Sequence, residues 1–278
     1  MHVVCCIKQV PDTAEVKIDS ETNTLVRSGV ESICNPFDLV GLEAAVRLQE
    51  RYGGRISVVT MGPPQAELVL REALSLGADE AILLSDRAFA GADTLATSYT
   101  LAKGIEKLHA QYPVDLVLCG KQAIDGDTAQ VGPGVATRLH YSQLTYVIEI
   151  EEIDESGRRI QVKRRIEGGV QVVRAPLPAL ITTELELAKP RRASLPALIR
   201  SLRAEMQTWN AEALGADPAQ LGLKGSPTWV RKIFSPPARE GGPKFNADRD
   251  PRDGVEKALD ALLADEDYAR MLRKGWKT

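Results

Sequence analysis

The chain has 278 residues, enough for a full core in one large domain or one domain with extensions. A formal net charge of −3 with 26% charged residues leaves no basic footprint for nucleic acid or an anionic membrane surface. No run of about 18 apolar residues is present, so no transmembrane helix is expected. No secretory signal precedes the first strand, and the expected location is cytoplasmic. The four cysteines, Cys5, Cys6, Cys34 and Cys119, lack C-x-x-C spacing. They read as reduced, mostly buried thiols and not as disulfides, zinc ligands or a cluster site, so no metal site is expected. His2, His109 and His140 are scattered and read as surface or packing residues.

In chain order, His2 to Ile7 is a short apolar strand that stops before Lys8-Gln9-Val10-Pro11-Asp12-Thr13. Pro11 cannot continue into a sheet interior, which leaves Lys8 and Asp12 at the strand's carboxyl edge. Val16 to Asp19 alternates, and Thr24 to Val26 can pair with it as a hairpin. Asn35-Pro36-Phe37-Asp38 opens a helix, with Asn35 as candidate N-cap and Pro36 in the first helical position. Its apolar stripe runs to Leu48 and ends at Gly53-Gly54. A strand at Ile56 to Thr60 leads into Met61-Gly62-Pro63-Pro64. A helix over Gln65 to Leu76 stops at Gly77, and a strand follows at Ala81 to Leu84. The loop Ala90 to Thr94 opens a helix to about Ala110, with Asp93 and Thr94 as ordinary capping residue types.

Val114 to Cys119 reads as a buried parallel strand. Behind it lies Gly120-Lys121-Gln122-Ala123-Ile124-Asp125-Gly126-Asp127-Thr128-Ala129-Gln130, and a helix runs from Val131 to Leu139. A Gly-punctuated polar loop between a strand's carboxyl end and a helix start lies where open α/β sheets bind ligands. A helix's first turn also offers unpaired N–H groups and partial positive charge to a phosphate. A plain capped turn, with Asp127 or Thr128 as N-cap, is the competing reading of this stretch alone. Strands and helices alternate to about residue 140, which predicts a doubly wound, mostly parallel, Rossmann-like α/β sheet. The loops at Lys8, Met61 and Gly120 should gather along one edge. Neither G-x-G-x-x-G after the first strand nor a Walker loop is present.

Beyond residue 144 the pattern alternates at Thr145 to Ile150, Ile160 to Ile166 and Val170 to Val173. These read as antiparallel additions, with Ala179 to Thr183 returning into the core. Lys189 to Pro196 leaves the domain with Leu195 exposed between prolines and a basic cluster, either a solvated linker or a recognition loop. From Asn210 to Asp250 the chain is rich in Gly, Pro and polar residues. Trp229 and Phe234 are candidate interface anchors, and a helix over about Arg252 to Leu263 sits near the end. The expected division is 1–188 for the α/β domain, 189–205 for the segment and helix that leave it, and 206–278 for a C-terminal arm.

These motifs, in this order, resemble the beta subunit of electron-transfer flavoproteins. The most specific pieces are Lys8 to Thr13, Asn35 to Asp38, Gly77-Ala78-Asp79 and Gly120 to Pro133. The resemblance implies a cofactor site at Cys6, Lys8, Pro11, Asp12, Asn35, Pro36, Phe37, Asp38, Met61, Gly62 and the loop Gly120 to Val131. Asp93, Thr94 and Thr97 are added as groups near a flavin ring or a bound NADH. It also implies a docking loop over Arg191 to Arg200, with Leu195 as its anchor and Arg191 and Arg200 flanking. Simple carriers of the family hold AMP in this subunit. The electron-bifurcating branch holds FAD there, takes hydride from NADH, and sends electrons to ferredoxin or flavodoxin and to the flavin of the alpha subunit. That second flavin serves an acyl-CoA dehydrogenase-type enzyme. Val10 to Thr13, Gly91 to Thr97 and Asp125 to Gln130 resemble the bifurcating branch. Carriers generally lack the first two stretches and have a bulkier residue at the place of Gly126. Tyr268 and Trp276, in the C-terminal extension after Lys244, have no match in the family pattern.

Overall fold

The computed structural model describes residues 1–12, 17–18, 25–26, 32–231, 244–245, 250–264, 266 and 269–270. The chain forms two compact units, Met1–Ile233 and Phe234–Thr278. In chain order, the first unit contains β1 (His2–Cys6), β2 (Gln9–Pro11), β3 (Lys17–Ile18), β4 (Leu25–Val26), β5 (Ser32–Cys34), α1 (Pro36–Tyr52), β6 (Arg55–Met61), α2 (Glu67–Leu76) and β7 (Glu80–Leu84). It continues with α3 (Thr94–Gln111), β8 (Leu116–Gly120), α4 (Val131–Leu139), β9 (Ser142–Asp154), β10 (Arg159–Ile166), β11 (Gly169–Pro176), β12 (Ala179–Thr183), α5 (Leu195–Arg203) and β13 (Gln207–Trp209). The second unit contributes α6 (Pro251–Ala264), along which Val255, Leu259, Leu262 and Leu263 are exposed at helical spacing.

Nine strands make one sheet in the order β11-β10-β9-β12-β8-β1-β6-β7-β13. β1, β8 and β12 are short apolar runs buried on both faces, as central parallel strands must be. On one face Leu42 and Ala45 of α1 and Leu70 and Ala73 of α2 pack in one cluster with Val3, Cys5, Ile56 and Val58. On the other, Ile105 and Leu108 of α3 and Val135 of α4 join Val4, Val59, Ile82 and Val117. All four cysteines are buried free thiols.

The mostly parallel α/β fold expected from the sequence is the fold observed. The chain runs outward from β1 to β6 and β7, then returns through α3 to β8 on the other side of β1. The strand order therefore reverses between β1 and β8, and it is beyond the carboxyl ends of such a pair that open α/β sheets form their ligand crevice. Beyond β1, the ribbon of β2 and β5 pairs Gln9 with Cys34.

The return strand is β12, inserted between β8 and β9 and parallel to both. The antiparallel additions are β10 and β11, whereas β9 pairs parallel with β12 and antiparallel with β10. The pairing of Lys17–Ile18 with Leu25–Val26 is present. Thr13, Val16, Asp19, Thr24, Phe234, Tyr268 and Trp276 lie outside the described residues.

Two features differ from expectation. Residues 207–209 extend the main sheet as β13 beside β7, although the sequence places them in the C-terminal arm. With three residues and Trp209 as its one buried side chain, β13 is too short to show a period. The residue at the N-cap of α4 is Gln130, not Asp127 or Thr128, and no side chain caps that helix. Asp127 and Ala129 turn left-handed before it, which carries the two candidate caps away from the first turn.

Candidate functional site at the strand switch

The floor of the crevice is built by the first turn of α1. Pro36 presets the first helical φ and Asn35 precedes it, so Asp38 falls in the first turn, pointing at the ends of β1 and β8. The Lys8 N–H donates to Asp38 Oδ2 at 2.8 Å, and the Gly120 N–H donates to Asp38 Oδ1 at 2.8 Å. One buried carboxylate thus joins the two strands on either side of the switch. Burial pushes its carboxyl up to about 7, against the pull of hydrogen bonds from Asn35, Gly120 and Lys8. Gly120 is needed for this approach. A Cβ there would collide with Asp38 Oδ1 and lie 2.7 Å from the Phe37 Cβ.

Asn35 is almost fully buried, and its side chain stitches the loop in place of capping the helix. Its Nδ2 donates to the Gln122 carbonyl at 2.9 Å, its Oδ1 accepts from the Ile124 N–H at 3.3 Å, and its own N–H donates to the Lys8 carbonyl at 2.9 Å. Lys121 is fixed by its N–H to the Thr183 carbonyl at 3.0 Å and by its ammonium to Glu184 at 3.1 Å. That ammonium also sits 5.1 Å from the Phe37 ring centre.

The exposed tip of the loop is a turn from Ala123 to Asp127, closed by the Asp127 N–H on the Ala123 carbonyl at 2.8 Å. Asp125 is paired with the Lys8 ammonium at 2.7 Å, and Asp127 accepts from the Gln122 side chain. Both carboxylates therefore carry partners that moderate their repulsion of an anion. Asp127 at φ 53° and Ala129 at φ 54° hold left-handed backbone. Aspartate tolerates this region, but for alanine it costs about 1 kcal/mol, which the loop retains.

The loop offers backbone and side-chain donors of the kind that suit an anion. A Cβ at Gly126 would meet nothing within 4 Å, so the backbone there is open to close approach. α4 begins at Val131 with no side-chain cap, so no side chain satisfies the Val131 and Gly132 N–H groups of its first turn. Thr128 and Gln130 are exposed beside it. Gln130 is oriented by the Thr94 hydroxyl, which donates to its Oε1 at 2.8 Å, tying the start of α3 to the loop.

Asp93 acts mainly on its own chain. Its Oδ1 accepts from the Leu95 and Ala96 N–H groups, capping α3, and its Oδ2 accepts from the Thr228 hydroxyl at 2.8 Å and the Thr228 N–H at 3.1 Å. Burial pushes this carboxyl up, but hydrogen bonds from Ala96, Thr228 and Leu95 outweigh it and hold it below the usual range. Thr97 is half-buried on the same helix, its N–H on the Asp93 carbonyl at 2.9 Å.

Cys6 and Cys119 lie in register at the ends of β1 and β8 on the α3 face. Met61 and Gly62 end β6, the Gly62 N–H donating to the Leu84 carbonyl at 3.1 Å. Pro11 ends β2 and Asp12 follows it. Gln9, on the same ribbon, donates to the Gln65 carbonyl near Met61. Residues that sequence reasoning missed are Thr183, Glu184, Ser226 and Thr228. The polar pair Thr182-Thr183 closing an apolar strand was a signal for the first two. Nothing in the sequence marked the last two.

Arg191 stands apart from the crevice. It donates to Glu43 at 2.7 Å and to Glu50 at 2.6 Å, anchoring the segment before α5 to α1. Leu195 starts α5 and is 70% exposed, and Leu198, Ile199 and Leu202 continue an outward apolar stripe. Arg200 is exposed in the last turn. Among the described residues, no helix is long and apolar enough to cross a membrane.

The electron transfer flavoprotein domain model matches residues 22–214. The chain is 51% identical over 266 residues to protein FixA of Azotobacter vinelandii, covering 95% of each chain. It is 52% identical over 241 residues to protein FixA of Bradyrhizobium diazoefficiens, covering 86% of this chain and 84% of that one. Against the electron transfer flavoprotein subunit beta of Megasphaera elsdenii it is 46% identical over 269 residues, covering 95% of this chain and 98% of that one. With a strand switch of this form and relatives matched over most of their length, the chain belongs to the electron transfer flavoprotein family, among its beta-subunit and FixA-type members.

Proposed function

We propose that this chain is the FAD-binding beta subunit of an electron-bifurcating flavoprotein, working as a heterodimer with an alpha subunit. The observation that carries the reading is the loop 120–131, with open backbone at Gly126 and an uncapped helix start at the strand switch. The backbone of Gly126 to Val131 and the side chains of Thr128 and Gln130 hold the diphosphate. Asn35, Lys8 and Lys121 hold the loop itself. When bound, the flavin supplies hydride acceptance from NADH and release of single electrons, to ferredoxin or flavodoxin and to the flavin of the alpha subunit. Thr94 and Thr97, at the start of α3, are assigned to the ring or the nicotinamide, a reading supported by the Thr94 hydroxyl's bond to Gln130 of the loop.

The stretches Val10 to Thr13, Gly91 to Thr97 and Asp125 to Gln130, which resemble the bifurcating branch, favour FAD over the AMP of simple carriers. The apolar stripe from Leu195 to Leu202 serves an acyl-CoA dehydrogenase-type acceptor, and the second unit, with the exposed apolar residues of α6, packs on the alpha subunit as an arm. Anaerobic titration of the heterodimer with NADH tests this reading. Bleaching of flavin absorbance by stoichiometric NADH is expected. Flavin that stays oxidised under excess NADH assigns the chain to the simple carriers.

A further inference from the structure

We propose that Asp38 is a positioning residue of this crevice, a buried carboxylate that sets the spacing of the β1 and β8 ends and couples nucleotide affinity to a proton. The inference deepens the functional reading above and rests on it. Each Asp38 oxygen accepts from a different strand end, the Lys8 N–H on one side and the Gly120 N–H on the other. Only the ionised form accepts well at both. A protonated carboxyl turns one oxygen into a donor facing an N–H, and one of the two ties is lost. An asparagine has the same defect permanently, because its NH₂ group would meet a backbone donor.

The groups facing Asp38 set where this happens. The Lys8 ammonium attracts it but is turned outward onto Asp125. The Asn35 amide supports the charged form. The Cys5 and Cys34 thiols are held neutral chiefly by their own burial, and the Cys119 thiol first by its bond to Cys6 and then by burial. Burial dominates, so the carboxyl titrates near neutrality, where an ordinary aspartate is fully ionised. A nucleotide that needs the closed spacing binds the ionised form and releases a proton from the rest of the population. Its affinity therefore falls on acidification through neutrality.

The test uses the full chain with its partner subunit, stripped of nucleotide, and FAD as the probe, whose diphosphate does not titrate between about pH 5.5 and about pH 8.5. Wild type should lose FAD affinity below about pH 7, by at most about tenfold per pH unit. D38N should bind weakly and without that pH dependence. In parallel, hydrogen exchange without ligand reads the clamp itself. Protection at the Lys8 and Gly120 amides, corrected for intrinsic exchange, should fall over the same range. FAD affinity that is flat or rises on acidification, with protection also flat, overturns the proposal. FAD that fails to bind at any pH, with protection still titrating, supports the clamp and overturns the nucleotide assignment instead. The wild-type arm decides the matter even where D38N does not fold.

Discussion

Two glycines of the same loop separate what the fold needs from what the ligand needs. At Gly120 an added Cβ would meet Asp38 Oδ1, the Phe37 Cβ at 2.7 Å and the Asp38 N at 3.0 Å. None of these can yield without moving the first turn of α1. Overpacking of this kind costs about 1–3 kcal/mol, and loss of the charge-assisted bond from the Gly120 N–H adds about 1.5–3 kcal/mol. Gly120→Ala should therefore lose about 3–5 kcal/mol of stability, a large share of what a domain has. At Gly126 a Cβ meets nothing within 4 Å, and the residue is not among those with positive φ. Gly126→Ala should leave stability within about 0.5 kcal/mol. Gly126→Glu should do the same while filling the backbone approach and placing a negative charge where the diphosphate is held. Urea unfolding of each variant, paired with nucleotide content after purification, separates the cases. The expected result is an unstable G120A chain and a stable G126E chain depleted of nucleotide. A G126E chain with full nucleotide content would refute the loop assignment, and a G120A chain of wild-type stability would refute the close-approach account of Asp38.

Arg191→Met should cost about 1–3 kcal/mol, because Glu43 is 5% exposed and loses one of its two arginines. Burial raises the Glu43 carboxyl, but the hydrogen bonds from Arg191 and Arg47 lower it below the usual range. The wild-type margin over this variant should thus be present at neutral pH and vanish as the pH falls below about 4.3 in acid unfolding. Asp93→Ala removes the α3 cap and both bonds to Thr228, and should cost about 1–2 kcal/mol while making residues 221–231 a preferred cut in limited proteolysis. Leu195→Ala should leave the melting temperature unchanged, since the side chain is 70% exposed, and slow transfer to an acyl-CoA dehydrogenase-type acceptor about tenfold. Flavin reduction by NADH should be untouched in that variant, and a parallel loss would point to misfolding.

The alternation of apolar strands with helices carried the parallel sheet, and the polar loop after β8 falls where the strand order reverses. Asn35-Pro36 located the start of α1 for a local reason, since proline at a first helical position needs no distant partner. What the sequence did not reveal depends on contacts between distant segments. The Asp38 carboxylate is defined by the Gly120 N–H, 82 residues away, and no spacing rule predicts that meeting. Asn35 occupies the N-cap position of α1 as its sequence predicts, but its side chain serves the loop, because Gln122 and Ile124 offer it partners that lie 87 and 89 residues on. Left-handed backbone at Ala129 has no residue signature. β13 forms only because β7 offers an open edge, and Ser226 and Thr228 reach Asp93 through a segment with no period at all.

The most direct measurement is the nucleotide content of the purified heterodimer, extracted and counted by chromatography. Two FAD per heterodimer and no AMP is the predicted outcome. One FAD with one AMP would contradict a flavin in this crevice, and one FAD with no second nucleotide would contradict the diphosphate site altogether.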